Sequence, residues 1–173
     1  MNYVALLRGI NVGSGRSVPM ADLRTVCEGL GWQKVRTYIQ SGNVIFEADP
    51  SSDPVGTLER ALKAQYGFAI PVLVRTADEW QTLAADTPFG GWSDSRQLSV
   101  SLLDAAPEAN RWQALAPWRD GDDEIELLGD RVWVKTPGGY GATKFHNAFL
   151  EKNLGRRATT RNRATVEALL AML

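Results

Sequence analysis

Residues 35–46 read VRTYIQSGNVIF. Apolar runs flank the pair Ser41-Gly42, which is typical of a two-residue hairpin turn, so the stretch predicts two antiparallel strands. The earlier run Tyr3–Leu7 is continuously apolar, as expected of a strand covered on both faces. A helical stripe precedes the hairpin, a second stripe comes after it, and Ile70–Val74 predicts another strand. The resulting order β-α-β-β-α-β is the split-βαβ, or ferredoxin-like, plan.

The remainder of the chain nearly repeats this plan. The predicted elements are a helix opened by the capping box Thr76–Glu79, a strand around 98–102, a short helix over 107–115, a hairpin over 125–135 and two final helices. We therefore expect an α+β protein of two ferredoxin-like halves, 1–75 and 76–173, packed as one unit. The second half ends in a C-terminal helix, which we expect Arg161 and Asn162 to open.

Composition sets the broad class of the protein. The chain has 173 residues, 44% hydrophobic residues and a net charge of −1, which suits a globular protein with a real core. No apolar run approaches the ~20 residues of a membrane span, and no basic segment with an apolar region stands at the start. We expect a soluble cytoplasmic protein without a membrane partner. With one cysteine and one histidine, we expect no internal disulfide, metal or cofactor.

Polar side chains come after the first strand and surround the hairpin turn, where a continued core would be apolar. The candidate ligand-binding residues here are Arg8, Asn11, Arg16, Gln40 and Asn43. An arginine beside a glycine suits bidentate capture of phosphate or carboxylate, and the glycine-rich loop after it could offer backbone donors in a nest. The alternatives are that Arg8 pairs with a carboxylate to fasten the loop, and that the two amides cap their own turn.

A second set of candidates lies near the C-terminus, where residues 141–173 carry six Lys/Arg against two Asp/Glu. Its members are Lys144, Thr160, Arg161 and Asn162. Lys144 comes after a glycine-rich loop that resembles a phosphate cradle but lacks the P-loop pattern, and Thr143 before it could cap the next helix. The other three form a polar helix start, which favours anions. A flexible connector and a solvated basic helix end are the alternative interpretations.

The ferredoxin-like plan raises a geometric difficulty. Taking the first and third strands as parallel, we expect Arg8 and the Ser41-Gly42 turn at opposite ends of the sheet. One small site could not then hold both motifs. Either the topology is modified, or there are two sites and one of them uses the Arg161-Asn162 segment.

The motifs together resemble one bacterial family along the whole chain. They are Val4–Gly13, Met20–Leu23, Arg36–Val44 and Ala158–Asn162. The chain is similar in these to the family catalogued as domain of unknown function 1697. The resemblance implies an α+β fold of two related halves and brings no activity. Relatives often have a second glycine directly after the position of Gly13 and a tryptophan at the position of Arg163, and this chain departs from them at both.

The sequence favours binding of an anionic small molecule, such as a nucleotide or a phosphorylated metabolite. A nucleic-acid-binding module is the first alternative, because ferredoxin-like sheets can stack bases. The second is an interaction protein in which the motifs are purely structural. Catalysis is left open: the single histidine, His146, is typical of a structural residue on a helix, and no paired acids stand out. The oligomeric state is not indicated.

Overall fold

The computed structural model describes residues 1–13, 15–90, 94 and 96–173. Within them the chain forms eight strands and six α-helices. The strands are β1 (Asn2–Leu7), β2 (Gln33–Tyr38), β3 (Asn43–Glu47), β4 (Val72–Thr76), β5 (Leu98–Leu103), β6 (Glu124–Leu128), β7 (Arg131–Lys135) and β8 (Ala158–Asn162). The helices are α1 (Met20–Gly29), α2 (Pro54–Tyr66), α3 (Ala77–Ala85), α4 (Ala109–Leu115), α5 (Asn147–Leu154) and α6 (Arg163–Met172).

Each half contains a four-stranded antiparallel sheet. The strand order is β2-β3-β1-β4 in the first sheet and β6-β7-β5-β8 in the second. Both orders result from a β-α-β-β-α-β chain in which the first and third strands pair at the centre. The predicted α+β fold of two ferredoxin-like halves is confirmed.

The chain forms two compact units. The first comprises Met1–Leu83 together with Leu169–Leu173, and the second comprises Ala84–Ala168. The first unit therefore extends beyond the boundary after residue 75 that the element pattern suggested, since most of α3 belongs to it.

The core of the first unit lies between its sheet and helices α1 and α2. Leu23 and Cys27 from the predicted stripe of α1 are fully buried, and the rings of Trp32 and Phe46 stack with centroids 3.8 Å apart. Burial raises the pKa of the Cys27 thiol to about 12. Cys27 therefore acts as a small buried hydrophobe and not as a reactive thiol.

The second unit has its own core. The inward residues of β5 and β7 pack with α4 and α5 around Phe145, which is fully buried. Two features of this unit differ from expectation. Residues 158–162 form strand β8 along β5, although the polar stretch suggested a helix start, because pairing with β5 outweighs the low strand propensity of its polar side chains. The predicted helix over 107–115 begins only at Ala109.

The connection between β2 and β3 also differs from expectation. β2 ends at Tyr38 and β3 begins at Asn43, so the turn comprises residues 39–42 and not Ser41-Gly42 alone. Ile39 and Gly42 both have left-handed backbones, with φ of 47° and 82°. The left-handed backbone of Ile39 marks the end of β2, so the turn begins two residues earlier than predicted.

Across the described residues, no helix combines the length and the hydropathy required to cross a membrane.

Candidate functional site

The end of β1 and the β2-β3 turn lie at the same end of the first sheet. β1 and β3 are antiparallel, with Leu6 opposite Asn43, and the backbone N–H of Leu7 donates to the carbonyl of Gly42 at 2.8 Å. The expectation of opposite ends was wrong because β1 runs parallel to β2, not to β3. The start of β3 therefore lies beside the end of β1, and the end of β2 lies at the same end of the sheet. We call residues 8–13, 15–18 and 39–43 the Arg8 corner.

Asn11 fastens the two parts of the Arg8 corner together. Its Nδ2 donates to the carbonyl oxygens of Gln40 at 2.7 Å and Val18 at 2.9 Å, and its Oδ1 accepts the backbone N–H of Val18 at 2.8 Å. Its own backbone N–H donates to the carbonyl of Arg16 at 2.9 Å. These bonds use both amide hydrogens and the amide oxygen, so Asn11 holds the loop on the turn and positions its neighbours.

Asn43 and Gly42 fix the turn from inside. Asn43 is fully buried, and its Nδ2 donates to the carbonyl of Tyr38 at 2.9 Å and to Oγ of Ser41 at 3.0 Å. Gly42 packs so closely that an added Cβ would lie 2.8 Å from Cβ of Leu7. Asn43 therefore supports the turn, while the exposed Gln40 presents its side chain at the surface.

The backbone of the loop after β1 has an alternating conformation. Gly9, Asn11 and Gly13 are left-handed, with φ of 70°, 54° and 65°, and the residues between them are not. Within the described part of the chain, the backbone N–H groups of Gly9, Ile10, Val12 and Gly13 donate to no acceptor. Backbones of alternating hand turn successive N–H groups toward a common concave side, the geometry called a nest, which binds anions.

Two arginines flank this backbone. Arg8 is half-buried directly after β1, and its backbone N–H donates to the carbonyl of Pro71 at 3.0 Å. The guanidinium of Arg16 lies 5.5 Å from the centre of the Phe68 ring, and its Nη1 would be 3.6 Å from a Cβ at Gly9. No acidic residue occurs in 8–18 or 39–43. The residues that define the Arg8 corner therefore carry two positive charges and no negative charge, and they offer backbone donors.

The candidates on β8 are engaged inside the second unit. The Thr160 hydroxyl lies 2.6 Å from Oγ of Ser101 and donates to Oδ1 of Asn147 at 2.7 Å. Arg161 is 9% exposed and donates to the carbonyl of Thr160 at 2.8 Å, and burial lowers its pKa to about 10. These two residues belong to the packed sheet.

Asn162 opens α6, as predicted, although it is the last residue of β8. Its Oδ1 accepts the backbone N–H of Thr165 at 2.9 Å. This is the bond of a helix N-cap. Arg161 lies within the strand and is not part of the helix start, so the prediction was right for Asn162 and wrong for Arg161.

Lys144 and His146 also have local partners. Lys144 Nζ lies 3.7 Å from Asp120, whose second oxygen accepts the Lys144 backbone N–H at 2.6 Å. His146 precedes α5 and caps it, because its Nδ1 accepts the N–H of Phe149 at 3.4 Å. Thr143 was expected to cap this helix, but its hydroxyl accepts the N–H of Phe145 instead. Asp120 therefore binds Lys144 at the end of the glycine-rich loop.

Sequence reasoning missed Arg75, the counterpart of Arg161. Arg75 lies opposite Val4 of β1, as Arg161 lies opposite Val100 of β5. Each donates through Nη1 to the carbonyl of the preceding residue, at 3.0 Å for Arg75. The signal was present in the sequence: in both halves an arginine is the last but one residue of a strand and precedes a helix-capping residue, Thr76 or Asn162.

Comparisons with known proteins agree with this architecture. The profile of the family described as protein of unknown function (DUF1697) matches residues 1–133, and the chain belongs to that family. The solved structure of conserved bacterial protein SP0830 from Streptococcus pneumoniae is similar, with a TM-score of 0.77 and 27% sequence identity. The similarity covers 99% of this chain and 97% of that one. No curated protein matches the chain.

Proposed function

Since the family brings no activity with it, we propose from the geometry that the Arg8 corner binds an anionic small molecule, a nucleotide or another phosphorylated metabolite. The observation that carries the proposal is the loop backbone at residues 9–13. Its φ is positive at every second residue, and four of its amide donors have no acceptor in the described chain. A phosphate in this nest would receive hydrogen bonds from groups that the fold already orients.

The flanking side chains favour an anion at the same place. Arg8 and Arg16 precede and follow the nest in the chain, Nη1 of Arg16 would lie 3.6 Å from a Cβ at Gly9, and a guanidinium can meet two phosphate oxygens at once. Within the described residues Arg16 makes no ion pair, and its guanidinium lies over the face of Phe68. Asn11 and Asn43 are positioning residues, since their amides hold the loop and turn. The proposal includes a cytoplasmic location, where phosphorylated small molecules are made and used.

The experiment that tests this function is a thermal-shift screen with nucleotides and phosphorylated sugars. A ligand at 100 times its dissociation constant raises the free energy of unfolding by about 2.7 kcal/mol. Arg8→Lys keeps the charge but loses the planar fork, so we expect affinity to fall about tenfold while the unliganded protein melts nearly as before. Arg16→Gln should weaken binding by a similar factor, because it removes a charge beside the nest.

Arg24→Gln is the matched control, because Arg24 is an exposed arginine on α1 outside the corner. It should leave the affinity unchanged. Equal losses for Arg16→Gln and Arg24→Gln would indicate nonspecific attraction to charge. A destabilised Arg8→Lys protein with no ligand response would instead support the interaction protein in which the motifs are structural. Nucleic-acid binding with a steep dependence on salt would favour the nucleic-acid module.

A further inference from the structure

Two apolar side chains of the Arg8 corner are directed toward solvent. Val12 is 72% exposed and Ile39 is 49% exposed. Ile39 also has a left-handed backbone, with φ of 47°, which is unfavourable for a β-branched residue. Asparagine or glycine would adopt this conformation at lower cost. An isoleucine that neither enters the core nor suits its backbone is evidence of a functional constraint.

The residues that carry these side chains adjoin, in the chain, the two residues that join the loop to the turn. Val12 comes after Asn11 in the loop and Ile39 precedes Gln40 in the turn, and Asn11 Nδ2 donates to the carbonyl of Gln40 at 2.7 Å. The loop and the turn therefore each carry an exposed apolar group beside one hydrogen bond. Val12 is also one of the nest residues, so the apolar surface adjoins the place proposed for the anion.

We propose that the ligand of the Arg8 corner is a nucleoside phosphate. Its phosphate lies in the nest between Arg8 and Arg16, and its base contacts Val12 and Ile39. The exposed Gln40 amide, with both a donor and an acceptor, reads a polar edge of the base. This inference rests on the proposed function of the same corner and narrows it to one ligand class.

Inorganic phosphate or a sugar phosphate would use the nest and the arginines alone. Neither has a group that gains from apolar contact, so neither accounts for the exposed valine and the unfavourable isoleucine. A base has two apolar faces and polar edges, which match apolar groups and an amide side by side. The chemistry of the whole corner therefore fits a nucleoside phosphate better than either simpler anion.

The test is calorimetric titration of the whole protein with AMP, GMP, CMP and UMP, and with ribose 5-phosphate and inorganic phosphate. We expect at least one nucleotide to bind about tenfold or more tightly than ribose 5-phosphate, since apolar contact adds to the shared phosphate interaction. Ile39→Asn should abolish this preference, leave the affinity for ribose 5-phosphate unchanged, and raise the melting temperature by about 2–4 °C through relief of the backbone. Val12→Ser should reduce the preference without changing the melting temperature.

Lys34→Asn is the matched control. Lys34 is left-handed as well, with φ of 50°, but it stands at the other end of β2. It should not alter the preference. Equal binding of nucleotides and ribose 5-phosphate by the unaltered protein would overturn the nucleoside inference and leave the anion site standing. A preference that survives both Ile39→Asn and Val12→Ser would also overturn it, and binding of none of the probes would overturn the proposed function itself.

Discussion

In the N-terminal half the backbone N–H of Leu7 donates to the carbonyl of Gly42 at 2.8 Å, and in the C-terminal half Leu103 donates to that of Asp130 at the same distance. The next residue in each half also forms an equivalent bond. The backbone N–H of Arg8 donates to the carbonyl of Pro71 at 3.0 Å, and that of Asp104 donates to the carbonyl of Arg157 at 3.1 Å. The two central strands therefore end in equivalent backbone environments. The connections from these strands to the helices that follow them are different.

In the C-terminal half the position equivalent to Arg8 is occupied by Asp104, whose carboxylate binds another segment of the same unit. Asp104 accepts the backbone N–H of Arg157 at 3.1 Å and lies 3.4 Å from its Nε. The link to α4 is short, spanning 104–108, and contains no left-handed residue among those described. In the N-terminal half the link spans 8–19 and contains three described left-handed residues.

The two connections therefore show which features a ferredoxin-like half needs in order to fold and which features the first half has in addition. A ferredoxin-like half closes with a short link and a tight turn, as in the second half. The longer connection and turn of the first half contain glycines with positive φ, the hydrogen bonds of Asn11, and an isoleucine, Ile39, with an unfavourable backbone conformation. Features of this kind concentrate at functional sites. Substitutions at equivalent or related positions in the two halves test this distinction.

The largest expected effect is at the turn glycines. Gly42→Ala should destabilise the protein by about 2–4 kcal/mol, because the new Cβ meets Leu7 and Ile10 in a left-handed backbone. Gly129 in the turn of the second half is also left-handed, but a Cβ there meets nothing within 4 Å. Gly129→Ala should cost only about 1 kcal/mol. Denaturant unfolding measures both, and equal losses would contradict close packing at the first turn.

The next largest effect is expected at Asn11, which we compare with Asp104 in the second half. Asn11→Ala should cost about 2–3 kcal/mol, because it leaves the loop and turn without three hydrogen bonds. Asp104→Ala should cost roughly 1 kcal/mol or less, since its ion pair with Arg157 is solvent-exposed and so weak. Unfolding free energies of the two variants decide the matter. An Asp104 variant less stable than the Asn11 variant would remove the distinction between the halves.

The smallest expected effect is at the helix N-caps, which are equivalent in the two halves. Thr76 accepts the N–H of Glu79 at 3.2 Å at the start of α3, as Asn162 accepts that of Thr165 at the start of α6. Thr76→Ala and Asn162→Ala should each cost about 1 kcal/mol, the usual loss for an N-cap. Thermal or chemical melts check this. If only one substitution destabilised the protein, the two strand-to-helix junctions would not be equivalent.

The sequence predicted the fold well where its patterns are periodic. The run Tyr3–Leu7 and the capping box at Thr76 became β1 and the start of α3, with Glu79 accepting the N–H of Thr76 at 2.7 Å. Strand β8 was missed because Thr159, Thr160 and Arg161 have no apolar alternation. Its pairing with β5 is a long-range contact that local pattern does not encode.

The sequence named candidate residues for the site but did not indicate their arrangement. Arg8 and Gln40 were identified, yet they were expected at opposite ends of the sheet, because the direction of β3 relative to β1 was misassigned. The clasp by Asn11 and the left-handed backbone of Ile39 depend on the loop meeting the turn. Neither is visible until the two segments are brought together by the antiparallel pairing of β1 with β3.

We expect the Arg8 corner, and not the equivalent region of the second half, to bind an anion. Two-dimensional NMR of the ¹⁵N-labelled protein, titrated with ribose 5-phosphate and with AMP, tests it most directly. We expect the largest chemical-shift changes at the amides of 9–13 and of Gln40, while the amide signals of 104–108 and of Gly129 stay in place. Shifts centred on the second half, or none with either probe, would contradict it.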